Sequence, residues 1–270
     1  MRSLLFAGAT RPDLVAKLGR SAPDAVAIDL EDAVPAAAKD EARAALPELV
    51  PTVEGPRVLV RVNGPATGWF EADLAAVAAL DVAGVLVPEV ESATDLARAR
   101  EGLGEGEIVA GLESARGVAG AERILAEAEP AAAYFGAEDY IADLGGLRTP
   151  GGDEVLFARS KVALAARLAG VASLDQVVVD IRDEGAFERD ARAGRAIGYH
   201  GKLCIHPAQV PVANEVFGAS AEEVERARAL LAAWQEGAER GVAAVEFEDA
   251  MIDGPALRMA REVIERGGER

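Results

Sequence analysis

Short apolar runs alternate along this chain with longer stretches whose apolar positions fall at helical spacing. Residues 108–139 show the pattern most clearly. Ile108, Val109, Ala110, Gly111 and Leu112 form a run closed by Glu113. Ala133, Tyr134 and Phe135 form another, which leads through Gly136, Ala137 and Glu138 to Asp139. Between them Val118, Ala121, Ile124, Leu125 and Ala128 recur at the steps of an amphipathic helix over 115–128. Strand, helix and strand in roughly 30 residues make one parallel crossover unit. Both strands then point the same way, and neighbouring strands lie about 4.8 Å apart. Glu113 and Asp139 are therefore expected close together at one end of a sheet. Two readings are open: each acid caps the helix that follows it, or the two share a proton or a cation.

The alternation continues over the rest of the chain. Further strands are expected at 3–7, 25–29, 57–62, 84–87, 177–180 and 201–205. Helices are expected at 12–18, 35–50, 68–80, 92–100, 153–168 and 187–197. The strand runs are mostly continuous and β-branched, as parallel strands covered on both faces are. About eight strands with intervening helices predict an α/β fold, a (β/α)8 TIM barrel, over residues 1–217. An open doubly wound sheet is the alternative, but it usually has fewer strands and a glycine-rich first turn. No G-x-G-x-x-G follows the first strand here. Residues 218–270 are expected to form a C-terminal helical extension, with a helix over 221–240, an irregular acidic segment over 245–255 and a last helix over 255–266. A barrel closes without such a tail, which reads as a lid, a subunit contact or both.

Composition narrows the picture. The 270 residues suit one barrel, and with 50% hydrophobic but only 4% aromatic residues its core must be built from Ala, Val, Leu and Ile. A formal net charge of −18 repels polyanions and argues against binding to nucleic acid or an anionic membrane. It leaves room for one small anion held by a local basic patch. Cys204 is the single cysteine, so no intrachain disulfide forms, and its neighbours Leu203 and Ile205 mark it as a buried structural thiol. No apolar stretch approaches the ~20 residues of a membrane span, and the N-terminal apolar run is too short for a signal peptide. A cytoplasmic protein is expected.

Functional side chains of a barrel gather at the carboxyl ends of its strands. Here those ends offer Asp29, Glu31 and Asp32, then Arg61 with Asn63 and Gly64, then Glu89, Glu113, Glu138 and Asp139, and finally Asp180, Arg182 and His206. The set is strongly acidic, and Arg61 is its one obvious cation. Hard oxygen donors, with no Cys pair and few His residues, suit Mg2+ better than Zn2+. Glu113 and Asp139 match the one or two carboxylates that Mg2+ commonly takes. Asp29, Glu31 and Asp32 would hold the metal-bound waters from outside. Arg61 either grips a substrate carboxylate through its planar fork or forms a structural ion pair with the acids. His200 and His206 offer themselves as bases, but a histidine before proline at a strand end is more often a hydrogen-bonded structural residue. The absence of a Gly-x-Ser-x-Gly elbow and of a reactive cysteine argues against covalent acyl chemistry.

Seven pieces in chain order carry a resemblance. They are Arg2-Ser3-Leu4-Leu5-Phe6 with Arg11-Pro12, Ile28-Asp29-Leu30-Glu31-Asp32-Ala33-Val34, Val60-Arg61-Val62-Asn63 and Leu112-Glu113-Ser114-Ala115-Arg116-Gly117. Phe135-Gly136-Ala137-Glu138-Asp139, Gly201-Lys202-Leu203-Cys204-Ile205-His206-Pro207 and Met251-Ile252-Asp253-Gly254-Pro255 complete the set. Together they resemble the citrate lyase β-subunit family of the HpcH/HpaI aldolase superfamily. The resemblance implies a trimeric or hexameric barrel that makes or breaks a carbon–carbon bond in a citryl, malyl or citramalyl thioester with Mg2+. It implies Glu113 and Asp139 as metal ligands and Arg61 as the keto-acid-binding arginine. Backbone N–H groups of Ala137, Glu138 and Asp139 are then expected to hold a substrate carboxylate. By the same resemblance Asp253 is an acid inserted from a neighbouring subunit, and Arg11 and Lys17 contact the phosphates of coenzyme A. A malyl-CoA-type thioesterase, or a subunit active only with an acyl-carrier protein, are the alternatives. The chain departs from the family at Glu89, where Pro-Lys is common, and around Phe6, where a proline is usual.

Overall fold

The computed structural model describes residues 1–239, 245–248 and 250–268. Arg240 of the expected helix and Asp249 of the expected acidic segment lie outside the described residues. Two compact units, 1–214 and 215–270, divide the chain.

In the first unit, β1 (Ser3–Gly8) leads to α1 (Pro12–Val15), and β2 (Ala25–Asp29) leads to α2 (Lys39–Ala44) and α3 (Leu46–Leu49). β3 (Arg57–Arg61) is followed by α4 (Phe70–Val77), β4 (Gly84–Val87) by α5 (Ala93–Leu103), and β5 (Glu107–Leu112) by α6 (Ala115–Ala128). After β6 (Ala132–Phe135) come α7 (Ala137–Asp143) and α8 (Asp153–Ala169). β7 (Ala172–Asp175), α9 (Glu184–Ile197) and β8 (Gly201–Cys204) complete the series, followed by α10 (Gln209–Phe217). The strands pair in parallel in chain order and β8 closes on β1. This is the (β/α)8 barrel that the alternation predicts.

Local chemistry sets the helix limits. α6 starts where the Ser114 hydroxyl accepts from the Gly117 N–H at 3.0 Å. α5 starts on a capping box of Ser92 and Asp95. The single helix expected over 35–50 is instead α2 and α3. Pro47 sits in the first turn of α3, where its missing N–H is harmless, and it cannot continue α2.

Leu4, Ala25, Ala27, Leu59, Leu86, Val109, Ala132, Tyr134, Leu174 and Leu203 form one buried cluster to which every barrel strand contributes. These are the inward positions, and side chains alternate along a strand. Continuing the two-residue step from Ala27, Leu59 and Val109 turns Asp29, Arg61 and Glu113 inward at the carboxyl ends of their strands.

The seventh strand is not at 177–180. It lies earlier, with Ala172 paired to Ala132 and Asp175 to Lys202. Hydropathy misplaces it because β7 carries Ser173 and Asp175, both buried polar residues. Asp175 faces outward from the barrel and meets Arg159 of α8 and Lys202 of β8. The apolar Val177 and Val179 follow the strand and line a cavity instead. Asp180 and Arg182 therefore do not stand at a strand end; they lie in an exposed turn where Asp180 accepts from the Arg182 N–H at 3.0 Å.

In the second unit, α11 (Ala221–Glu239) packs with a hairpin of β9 (Val245–Phe247) and β10 (Ala250–Ile252) and with α12 (Gly254–Arg266). The hairpin is antiparallel, pairing Ile252 with Val245 and Met251 with Glu246, and Glu248 in its turn has φ +49°. α12 is capped by Asp253, whose carboxylate accepts from the Ala256 N–H at 3.1 Å. Among the described residues, no helix is long and apolar enough to cross a membrane.

Candidate active site

The inward alternation brings Asp29, Arg61, Glu113 and Tyr134 to the wall of one cavity of about 540 Å3. Arg11, Asp32, Ala137, Glu138 and Asp139 also line it, and Phe6, Val177 and Leu203 give it an apolar side.

Asp29 and Arg61 are register partners across β2 and β3. Their side chains form a bidentate pair, Nε to Oδ1 and Nη2 to Oδ2, both at 2.7 Å. Asp29 also accepts from the N–H groups of Glu31 (2.9 Å) and Ala33 (3.1 Å). Burial works to raise its pKa, but Arg61 and the other donors override that and hold the carboxylate below its usual range. Arg61 also faces Glu31 at 2.9 Å and Asp32 at 3.3 Å, and lies 5.2 Å from the centre of the Phe6 ring. Arg61 thus stands in a structural ion pair with the acidic cluster. Asp29, with its acceptor positions filled, orients Arg61.

Glu113 follows β5 and is 3% exposed. Its carboxylate accepts one long bond, at 3.4 Å, from the N–H of Glu89, whose backbone is left-handed (φ +50°). Glycines make room for it. A Cβ on Gly136 would lie 2.5 Å from Glu113 Cγ, and one on Gly111 would lie 2.9 Å from Glu113 Oε1 and 2.5 Å from the Tyr134 hydroxyl. That hydroxyl is buried and lacks a partner at hydrogen-bond geometry, although it lies near enough to Glu113 to favour the charged carboxylate.

Asp139 stands in the first turn of α7 rather than at the end of β6. β5 and β6 are neighbours, and Leu112 pairs with Phe135, so Glu113 and Asp139 face the same cavity. Neither caps a helix: Ser114 caps α6, and α7 has no side-chain cap.

The cavity is short of positive charge. Burial pushes Glu31 up to about 9 against the pull of Arg61, with Glu113, Asp32 and Asp29 repelling it further. Burial pushes Glu113 up to about 7; Arg61 and Tyr134 only partly offset the burial, and Asp139 adds repulsion. Burial, then Asp139 and Asp32, raises Glu89; burial, then Asp32, raises Asp139. Glu31 Oε2 is buried and, although close to Arg61, has no partner at hydrogen-bond geometry. Among the described residues, no group of three or more His, Cys, Asp or Glu is arranged as a metal cage. Mg2+ does not require one, since it keeps several waters and takes one or two carboxylates.

The other expected residues scatter. Arg11 lines the cavity but is exposed and paired with Asp13 at 3.0 Å. Lys17 is exposed and not among the lining residues. Glu138 pairs with Arg148 at 2.8 Å. Asn63 is buried and donates to Asp73 at 2.6 Å, a structural bond. His206 accepts from the Ala208 N–H, His200 lies against Ser173, and neither lines the cavity. Cys204 is buried, which pushes its thiol up to about 12. Asp253 belongs to the second unit. Sequence reasoning missed Tyr134 and the Glu89 N–H. A bulky residue opposite Gly111 on the neighbouring strand was the available signal for Tyr134.

Known proteins resemble the chain along its whole length. The profile of the HpcH/HpaI aldolase/citrate lyase family matches residues 2–207. A citrate lyase subunit beta-like protein of Deinococcus radiodurans is 50% identical over 274 residues, covering 98% of this chain and 96% of the relative. A (3S)-malyl-CoA thioesterase of Cereibacter sphaeroides is 32% identical over 265 residues, covering 97% and 93%. The crystal structure of CitE from Mycobacterium tuberculosis in complex with magnesium, acetoacetate and coenzyme A superposes with a TM-score of 0.85 at 36% identity, covering 100% of both chains. Carrying that profile over its barrel and half its residues in common with a full-length relative, the chain belongs to the HpcH/HpaI aldolase/citrate lyase family of lyase-type enzymes.

Proposed function

We propose that this chain is a Mg2+-dependent carbon–carbon lyase acting on a 3-hydroxy-acyl thioester of the citryl-, citramalyl- or malyl-CoA type. The products are a keto acid and an acetyl thioester. One observation carries the reading: a cavity at the carboxyl ends of the strands holds Asp32, Glu113 and Asp139 beside Arg61, whose charge Asp29 already engages. The bound magnesium and coenzyme A of the M. tuberculosis relative support it.

The donors fit a divalent cation. They are hard oxygens, Glu113 and its neighbour Glu31 resist ionising, and Glu31 Oε2 and the Tyr134 hydroxyl are buried without partners at hydrogen-bond geometry. Glu113 and Asp139 would hold the ion, with Glu31 and Asp32 bonding to its waters. Mg2+ bound there supplies Lewis-acid polarisation of a substrate oxygen. Arg61, held flat by Asp29, neutralises a substrate carboxylate and the charge that develops on oxygen, exchanging Glu31 or Asp32 for the ligand. α7 lacks a side-chain cap, which supports the N–H groups of Ala137, Glu138 and Asp139 as donors to a substrate carboxylate. In the cleavage direction the hydroxyl proton passes to solvent, the oxygen's electron pair forms the keto carbonyl as the carbon–carbon bond breaks, and the electron pair of that bond forms the thioester enolate. Asp253, supplied by a neighbouring subunit of a homotrimer or hexamer, gives that enolate carbon its proton. Arg11 and Lys17 contact the coenzyme A phosphates.

The test is a panel of citryl-, citramalyl- and malyl-CoA on the purified chain with Mg2+ and with EDTA, read by product. Keto acid plus acetyl-CoA, lost with EDTA, is the expected result. Free hydroxy acid plus CoA would instead establish a thioesterase, a second reading that the C. sphaeroides relative favours. Turnover only of a thioester on an acyl-carrier protein would establish a complex subunit. Asp253→Asn keeps an N-cap oxygen, so the fold and Mg2+ binding should survive while kcat falls at least ~100-fold. An unchanged kcat sinks the Asp253 role.

A further inference from the structure

We propose that the Tyr134 hydroxyl is the hydrogen-bond donor that positions Glu113 for its cation, an inference that rests on reading Glu113 and Asp139 as a divalent-cation site. Tyr134 stands on β6 directly opposite Gly111 of β5. The hydroxyl and Glu113 Oε1 converge on the space that a side chain at position 111 would fill, at 2.5 and 2.9 Å from its Cβ. The glycine therefore keeps open the place where phenol and carboxylate meet.

Glu113 has little other support. The Glu89 N–H reaches it at 3.4 Å, a long and weak bond. Arg61 spends its ion pairs on Asp29, Glu31 and Asp32. The Tyr134 hydroxyl, for its part, is buried and has no partner at hydrogen-bond geometry. Buried hydroxyls are nearly always bonded, and a phenol carries one O–H to give. A donor on Oε1 orients the group, and Oε2, which takes only the long Glu89 bond, keeps a lone pair for the ion. Core packing alone does not explain the hydroxyl. The Tyr134 ring lies among Ala132, Leu174 and Leu203, where a phenylalanine ring would serve equally.

Calorimetric titration of the substrate-free protein with Mg2+ tests the role in wild type, Tyr134→Phe, Gly111→Ala, the double variant and Glu113→Gln. Tyr134→Phe should bind Mg2+ about tenfold or more weakly, with the metal-free melting temperature unchanged or raised. Gly111→Ala places a methyl in the same space and should weaken Mg2+ similarly, and the double variant should be no weaker than either single one. Affinity of Tyr134→Phe within about twofold of wild type overturns the role, on the scale that outer partners normally show. So does a loss of affinity matched by a lower metal-free melting temperature, the mark of a packing residue. If Glu113→Gln abolishes binding and Tyr134→Phe does not, the Tyr134 role alone falls. If wild type binds no Mg2+, the cation-site reading falls and this role with it.

Discussion

Two buried clusters of charge sit in the same barrel, and they are built on opposite terms. In one, Arg159 and Lys202 face Asp175 and Asp190. The Lys202 ammonium spends its donors on Asp175 at 2.7 Å, on the Gln176 carbonyl at 2.7 Å and on Asp190. Burial works to raise Asp190, but Lys202 and Arg159 override it and hold the carboxylate below its usual range. In the other, Arg61 is the one cation among the described residues that pairs with Asp29, Glu31 and Asp32, and Glu113 lies close by. There Glu31 is pushed up to about 9 and Glu113 up to about 7. The first cluster is complete in itself and locks β7 and β8 to α8 and α9. The second sets four carboxylates, Asp29, Glu31, Asp32 and Glu113, against the single guanidinium of Arg61. Imbalances of this kind cluster at functional sites.

The largest expected effect breaks the balanced cluster. Lys202→Met leaves Asp175 and Asp190 facing only Arg159 and should cost ~3–5 kcal/mol of stability, measured by urea denaturation. Mg2+ should not restore it. Glu113→Gln should do the reverse in the unbalanced cluster. The metal-free protein should be as stable as wild type or more so, while Mg2+ affinity and turnover fall by more than the ~10–100-fold typical of outer partners.

The smallest effect is in pH. Glu31 and Glu113 have folded-state pKa values above the ordinary glutamate range, so the folded chain keeps protons that the unfolded chain has released. Their contribution is complete in acid, below the ordinary glutamate pKa, and is lost as pH rises through about 7 and about 9. Melting temperature without metal should therefore fall by several degrees from pH 5 to pH 9. Mg2+ binding releases those protons, so its stabilising effect should grow over the same window. Asp190 and Asp29 are held low, and their contribution should disappear only on acidification below the usual carboxylate range.

The same contrast explains what was legible in the chain. Barrel strands with apolar runs, such as Ala25–Asp29 and Gly84–Val87, stand where periodicity puts them. β7 does not, because its burial is achieved by charge pairing that hydropathy counts as polar. At the site, Glu113 and Arg61 were readable as residues that end or follow apolar strands. Arg61's commitment to Asp29 was not, since it depends on the register between β2 and β3. Asp139 was found as an acid near β6 but assigned to the strand end, because α7 is too short to show a helical period. Tyr134 passed as one more apolar strand residue, its hydroxyl invisible to a pattern that scores rings.

On the proposed reading, Glu113 and Asp139 form a divalent-cation site. Equilibrium dialysis against Mn2+, with bound ion counted per chain, tests it most directly in wild type, Glu113→Gln and Asp139→Asn. About one ion per wild-type chain, displaced by Mg2+ and absent from both variants, is the predicted result for a site of one or two carboxylates. A wild-type chain that retains no Mn2+, or variants that retain as much as wild type, would contradict the account.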